Sequence, residues 1–241
     1  PAQRVASTMF DAQLGLAPGS SEAATGVAMR GVASDDETAS WMAARAAERA
    51  LQAAGIDAST LDAIVSTCAV MEQPIPCQAA LVQRALGLGA SGIPAFDINA
   101  SCLGFLVALD LIAASIAAGR YRRVLVVASE VPSRGLRADD PVTAPLFGDG
   151  AAAVVLGAAA SGEDSALLAW RMETFAEGAD ACRIRGGGTR IAASLQDFAR
   201  HHARAQLNRG SRVWVFSDGF DTDAPDQLAQ SLQEVRSRGA R

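Results

Sequence analysis

An α/β fold, with a mostly parallel sheet covered by helices, is predicted by two features of this sequence. Four short apolar runs (Ala63–Thr67, Pro94–Asn99, Arg123–Ser129 and Gly150–Gly157) read as buried strands rather than as the alternating strands of a half-wet sheet. Between the first three lie longer Ala/Leu-rich stretches that stop at glycine, as helices do when a left-handed residue closes the last turn.

The elements follow in order. Asp35 or Asp36 is placed to cap a helix over Glu37–Ala54, ended by Gly55. Ala63–Thr67 is a short buried strand, and Cys77–Leu86 a helix ended by Gly87. Pro94–Asn99 is the next strand, Leu103–Ala118 a helix closed by Gly119, and Arg123–Ser129 a Val-rich strand. Gly150–Gly157 adds a strand, and Ala166–Phe175 is expected to add another. Pro1–Ser20 lacks the Val/Ile-rich run that would announce an opening strand. Near the other end, Val213–Gly219 reads as a strand and turn, and Ala224–Arg238 as a helix. Three segments result: 1–175, an α/β domain; 176–210, a connection; and 211–241, a strand–helix tail.

Composition narrows the class. With 241 residues, 50% hydrophobic, the chain can bury one large core or two small ones. A net charge of −5, with acidic residues dispersed, leaves no basic footprint for nucleic acid. No apolar run reaches membrane-spanning length, since Cys102–Ala118 is broken by Gly104, Asp110 and Ser115. No signal peptide opens the sequence. Cys68, Cys77, Cys102 and Cys182 show no C-x-x-C spacing, so no structural metal is expected and a reduced, cytoplasmic setting fits.

Cys102 is the residue with the clearest chemistry. It stands between the strand Pro94–Asn99 and the helix Leu103–Ala118, at or near the first helical turn. There, unpaired N–H groups and the helix dipole favour negative charge, and a thiol can act as thiolate toward a carbonyl carbon. Two other signals fail. Gly148-Asp149-Gly150 precedes a strand, whereas a dinucleotide loop must follow one. Gly186-Gly187-Gly188, among Arg183, Arg185 and Arg190, reads as a flexible turn.

Four segments, in order between about residue 25 and residue 160, carry a resemblance. Ala95–Phe105, ending Ser101-Cys102-Leu103-Gly104-Phe105, is similar to the nucleophile segment of the 3-oxoacyl-acyl-carrier-protein synthase III family, of the thiolase superfamily. Leu146–Leu156 resembles its Phe-Gly-Asp-Gly-Ala motif. Thr25-Gly26-Val27 with Arg30, then Glu37-Thr38, resembles its Thr-Gly-Ile-x-x-Arg region, and Val124–Arg134 resembles its strand after the nucleophile helix.

The resemblance implies a thiolase-like half-domain with Cys102 as catalytic nucleophile. It implies a Claisen condensation: the acyl group passes to cysteine, and the carbanion of a decarboxylating malonyl thioester then attacks it, for fatty acid or polyketide synthesis. It further implies a homodimer in which the loop Met71–Pro76, tipped by Ile75, reaches the partner's pocket. Substrates would be acyl thioesters of coenzyme A or acyl carrier protein, with no resident cofactor or metal.

Three departures qualify these expectations. The family completes its site with a histidine and an asparagine from a second half-domain; here that half-domain is missing or replaced. His201 and His202 stand in no such setting, nor do Asn99 and Asn208, so Cys102 alone is carried over. The family's arginine before Thr-Gly-Ile, which grips coenzyme A, is Ala24 here, and a methyl group cannot replace a bidentate fork. Acyl groups arriving on a carrier protein, or another mode of coenzyme A binding, fit better. Finally, Val213–Gly219 is faintly similar to a late strand–helix unit of a von Willebrand factor A domain, without that domain's Asp-x-Ser-x-Ser metal run. Three readings therefore stand: a condensing acyltransferase, a truncated or non-catalytic homologue that binds acyl carriers or pairs with an active subunit, and a von Willebrand-like binding module.

Overall fold

The computed structural model describes residues 1–136, 139–178, 199 and 225–237. Its contacts divide the chain into two units, Pro1–Arg171 and Met172–Arg241.

The first unit is built on a four-stranded sheet. Strands β3 (Ala63–Ser66), β4 (Ala95–Asp97), β5 (Arg123–Glu130) and β6 (Gly150–Gly157) lie in the order β4-β3-β5-β6. The first three run parallel, with Val65 opposite both Phe96 and Val126, and β6 returns antiparallel with Val154 opposite Val126. Helices cover both faces. On one, Ala43, Ala47 and Leu51 of α3 (Ala39–Ala54) and Ala79 and Val82 of α4 (Gln78–Ala85) pack on Ile64, Leu125 and Val127. On the other, Ala108 and Ile112 of α5 (Gly104–Ala117) pack on Ala63, Val65, Val124 and Val126. Both sides of β3 are thus buried, which is why its sequence is apolar without alternation. Ile64 is fully buried at the centre of the α3–α4 face. Ile64→Ala should cost about 2–5 kcal/mol through lost transfer energy and the cavity left behind. Denaturant titration checks this: the midpoint should fall with the slope unchanged.

Three sequence expectations are corrected. The α3 helix begins at Ala39, and its cap is Thr38, whose Oγ1 accepts the Trp41 N–H at 3.2 Å, rather than Asp35 or Asp36. Glu37, expected inside the helix, uses its carboxylate to accept N–H groups of Ala2 and Ser34 at 2.8 and 3.0 Å. The opening segment does hold a strand: β1 (Gln3–Ala6) pairs antiparallel with β2 (Met29–Val32), with α1 (Ser7–Leu14) and α2 (Ser20–Thr25) between them. One partner strand and the buried Val5 suffice where no Val/Ile run exists. Asp11 ties the two helices by accepting N–H groups of Gly19 and Ser21 at 2.7 and 2.8 Å. Ala166–Phe175 forms no strand and is exposed. A strand needs a neighbour to complete its backbone hydrogen bonds, and this run pairs with none of the described strands.

In the second unit, α6 (Pro225–Ser237) matches the helix expected over Ala224–Arg238, with proline at its first position. Ser231 and Val235 are its buried residues among those whose side chains are described. The strand expected over Val213–Gly219, and His201, His202 and Cys182, lie outside the described residues. None of the described helices is long and apolar enough to cross a membrane.

Candidate active site

The candidate site forms where the parallel strands end. After Asp97, Ile98 still donates its N–H to Ser66 O at 2.8 Å, and the chain then turns sharply into α5. Asn99 Oδ1 accepts the Ser101 N–H at 2.9 Å. Ser101 adopts φ 51°, the one left-handed non-glycine residue among those described. Leu103 N–H donates to Ala100 O at 3.1 Å and Gly104 N–H to Ser101 O at 3.0 Å, closing the turn. Gly104 permits the close approach of helix to sheet, since a Cβ there would stand 2.9 Å from Thr67 O.

Cys102 sits on this turn, exposed to solvent. It precedes the N-cap Leu103 by one residue and so lies beside the first turn of α5, in keeping with the expected position at or near that turn.

The other described cysteines stand apart chemically. Cys68 follows β3 and is 3% exposed; its Sγ accepts the Ser66 Oγ–H at 3.2 Å and the Ser129 N–H at 3.3 Å. Burial pushes its thiol up from the usual range. Cys77, half-buried at the start of α4, directs Sγ to Ala95 O at 3.8 Å. Iodoacetamide at neutral pH is therefore expected to label Cys102 well ahead of Cys68 and Cys77, because it is the exposed thiol of the three. Peptide mass spectrometry over time reads the order, and equal rates in folded protein would overturn it.

Carboxylates brace the loop that follows β3. Glu130, ending β5, accepts N–H groups of Ala69 and of Val70, the latter at 3.2 Å, while burial pushes its carboxyl up against those bonds. Asp97 accepts N–H groups of Gln78 and Ala79 at 2.8 Å each, capping α4. Glu72 accepts the Ser40 N–H at 2.7 Å. The loop so held presents Val70, Met71 and Ile75, and Ile75 is 85% exposed.

The Gly148-Asp149-Gly150 motif serves as a latch between distant segments. Asp149, buried, accepts N–H groups of Ala33 and Ser133 at 2.7 and 3.0 Å and the Ser133 Oγ–H at 2.6 Å. Arg30, 4% exposed, donates Nη2 to Ser7 Oγ at 2.9 Å and to Pro145 O, under the Phe10 ring 4.5 Å away. Gly148 fits because any Cβ would lie 2.7 Å from Arg30 Cβ. Ala24 is exposed on α2. Among the described residues, no three His, Cys, Asp or Glu side chains gather as a metal site. Sequence reading did not single out Asn99 as a functional residue; the available signal was an asparagine two residues before the turn.

Comparison with known proteins bears on the fold that carries this site. The model of the family described as 3-oxoacyl-[acyl-carrier-protein (ACP)] synthase III matches residues 96–176. That of the VWA domain containing CoxE-like protein matches residues 171–241. The beta-ketoacyl-[acyl-carrier-protein] synthase III of Chlamydia trachomatis serovar D is 38% identical over 192 residues, 79% of this chain and 57% of that protein. Its counterpart from Neisseria meningitidis serogroup C is 44% identical over 137 residues, 57% of this chain and 42% of that protein. The crystal structure of 3-oxoacyl-(acyl carrier protein) synthase III from Pseudomonas aeruginosa PAO1 superposes with a TM-score of 0.71 at 32% identity, covering 80% of this chain and 58% of that one. The fold is that of a thiolase-like α/β half-domain. In its amino-terminal part, the chain is similar to the 3-oxoacyl-[acyl-carrier-protein] synthase III family. It spans less than two thirds of the length of these relatives, and its last 71 residues match the von Willebrand-type model instead.

Proposed function

We propose that the chain is an acyltransferase of the synthase III type that takes an acyl group onto Cys102. The thiolate Sγ attacks the thioester carbonyl carbon, the C–S bond to the carrier breaks, and the departing thiolate takes up a proton. The carbonyl oxygen carries negative charge on the way, and a well-aimed backbone donor such as the Cys102 N–H is worth on the order of 3 kcal/mol there. The observation that carries this reading is the exposure of Cys102 on a strained turn ahead of α5. In the family's reaction the acyl-cysteine then condenses with a malonyl thioester in fatty acid or polyketide synthesis. With alanine at position 24, the donor we favour is an acyl carrier protein rather than free coenzyme A. No resident cofactor is proposed, and the setting is the reducing cytoplasm. The test is intact mass after incubation with an acyl-carrier thioester: one acyl group should be gained per chain, and no gain would defeat the proposal.

A second reading, a non-catalytic homologue that binds carriers or pairs with an active subunit, is favoured by the von Willebrand-type match over residues 171–241. It predicts carrier binding without an adduct. Either reading includes a homodimer, since Val70, Met71 and Ile75 crown a loop braced by Glu130 and Glu72. An obligate interface of ~2,000 Å² or more is expected, and sedimentation of a clean monomer at micromolar concentration would count against it.

A further inference from the structure

We infer that Asn99 is a positioning residue for Cys102, acting through the left-handed backbone of Ser101. The inference rests on Cys102 being the acyl acceptor. Ser101 at φ 51° holds a conformation that a non-glycine residue adopts only when its surroundings enforce it. What enforces it is visible. Asn99 Oδ1 accepts the Ser101 N–H at 2.9 Å, while Ser101 O accepts the Gly104 N–H at 3.0 Å. Ser101 is thus gripped at its nitrogen by a side chain and at its carbonyl by the residue that opens α5. Gly104 lies close to Thr67, with room for no side chain, since a Cβ there would stand 2.9 Å from Thr67 O. Cys102 and Leu103 lie between these two points. Rotation about Ser101 would swing the Cα–Cβ bond of Cys102, and with it the direction from which Sγ meets a carbonyl carbon.

Losing the grip should therefore impair chemistry more than folding. Asn99 is exposed, so Asn99→Ala leaves no cavity, whereas a misplacement of ~1 Å at a reacting atom can cost ~10²-fold in rate. Glycine at position 101 enters the left-handed region without enforcement, and so should not need the asparagine. This makes the effect specific: Asn99→Ala should slow acylation of Cys102 by about 10- to 100-fold in the Ser101 background. In the Ser101→Gly background it should have little effect.

The experiment compares the full-length wild type, N99A, S101G and the double variant. It follows acylation by an acyl-pantetheine thioester through intact mass, with a thermal midpoint for each protein. Slow acylation by N99A, near-wild-type acylation by S101G and rescue in the double variant support the inference. Unchanged acylation by N99A overturns it, as does a deficit that persists with glycine at 101. If the wild type gains no adduct, the acyltransfer reading fails by itself. Iodoacetamide alkylation at Cys102 then reads the aim of the thiol across the same four proteins: the same rescue pattern supports the clamp, and equal rates reject it.

Discussion

Cys102→Ala is expected to abolish acyl-adduct formation while leaving the fold intact. The covalent route needs a lone pair that can become a thiolate, and an alanine methyl has none. The other described thiols do not substitute. Cys68 is buried behind Ser66 and Ser129, where the thiolate is disfavoured, and Cys77 is half-buried at the start of α4. Because Cys102 is exposed on a turn, its truncation removes little packing, and stability should move by no more than about 0.5 kcal/mol. Cys102→Ser keeps the shape but replaces the thiol by a hydroxyl that scarcely ionises at neutral pH, so any adduct should form far more slowly. Intact mass combined with a thermal midpoint reads both consequences. An adduct of undiminished rate on the alanine variant would move the nucleophile elsewhere and remove the basis of the proposed function.

How much of this was legible in the sequence depended on how local the cause was. The strands Ala63–Ser66 and Arg123–Glu130 were readable because burial on both faces writes itself as an unbroken apolar run, and Gly150–Gly157, mostly half-buried, because its run is apolar too. Helix ends at Gly55 and Gly119 were readable because a left-handed residue there is a local demand. The start of α3 was misplaced by a competition between neighbours. Asp35, Asp36 and Thr38 can all cap, and Thr38 wins while Glu37 is drawn to Ala2 and Ser34. Ala166–Phe175 had the apolar content of a strand but no partner, a fact that composition does not carry. Least visible were the long-range devices. The grip of Asp149 on Ala33 joins residues 116 apart, and that of Arg30 on Pro145 residues 115 apart. Glu130 holds Ala69 and Val70 by the same logic. The position of Cys102 was readable to within a turn, but Asn99 emerged only once φ at Ser101 was known.

The 241-residue chain is expected to stop short of condensation. Decarboxylating a malonyl thioester develops charge on an enolate oxygen, and donors held in place beforehand must meet it; loss of one such donor costs ~10²–10³ in rate. The family resemblance assigns those roles to a histidine and an asparagine, and it carries neither onto a residue of this sequence. Residues 171–241 match a von Willebrand-type model instead. The apolar surface of the described unit fits that expectation. Helix α5 is apolar almost all round, yet only Gly104, Ala108 and Ile112 are buried. Phe105, Leu106 and Leu111 remain 37%, 47% and 49% exposed, where an all-apolar helix ordinarily stands inside a core. Acylation of Cys102 needs only the turn and a thioester, so it should survive; carbon–carbon bond formation should not. Labelled malonyl-carrier incubated with the acylated chain should release carbon dioxide no faster than the Cys102→Ala control. A complementary carboxyl-terminal half of a family member, added in trans, should restore release if it covers α5. Release at the full rate of a complete synthase by this chain alone would show that donors exist which the sequence does not reveal.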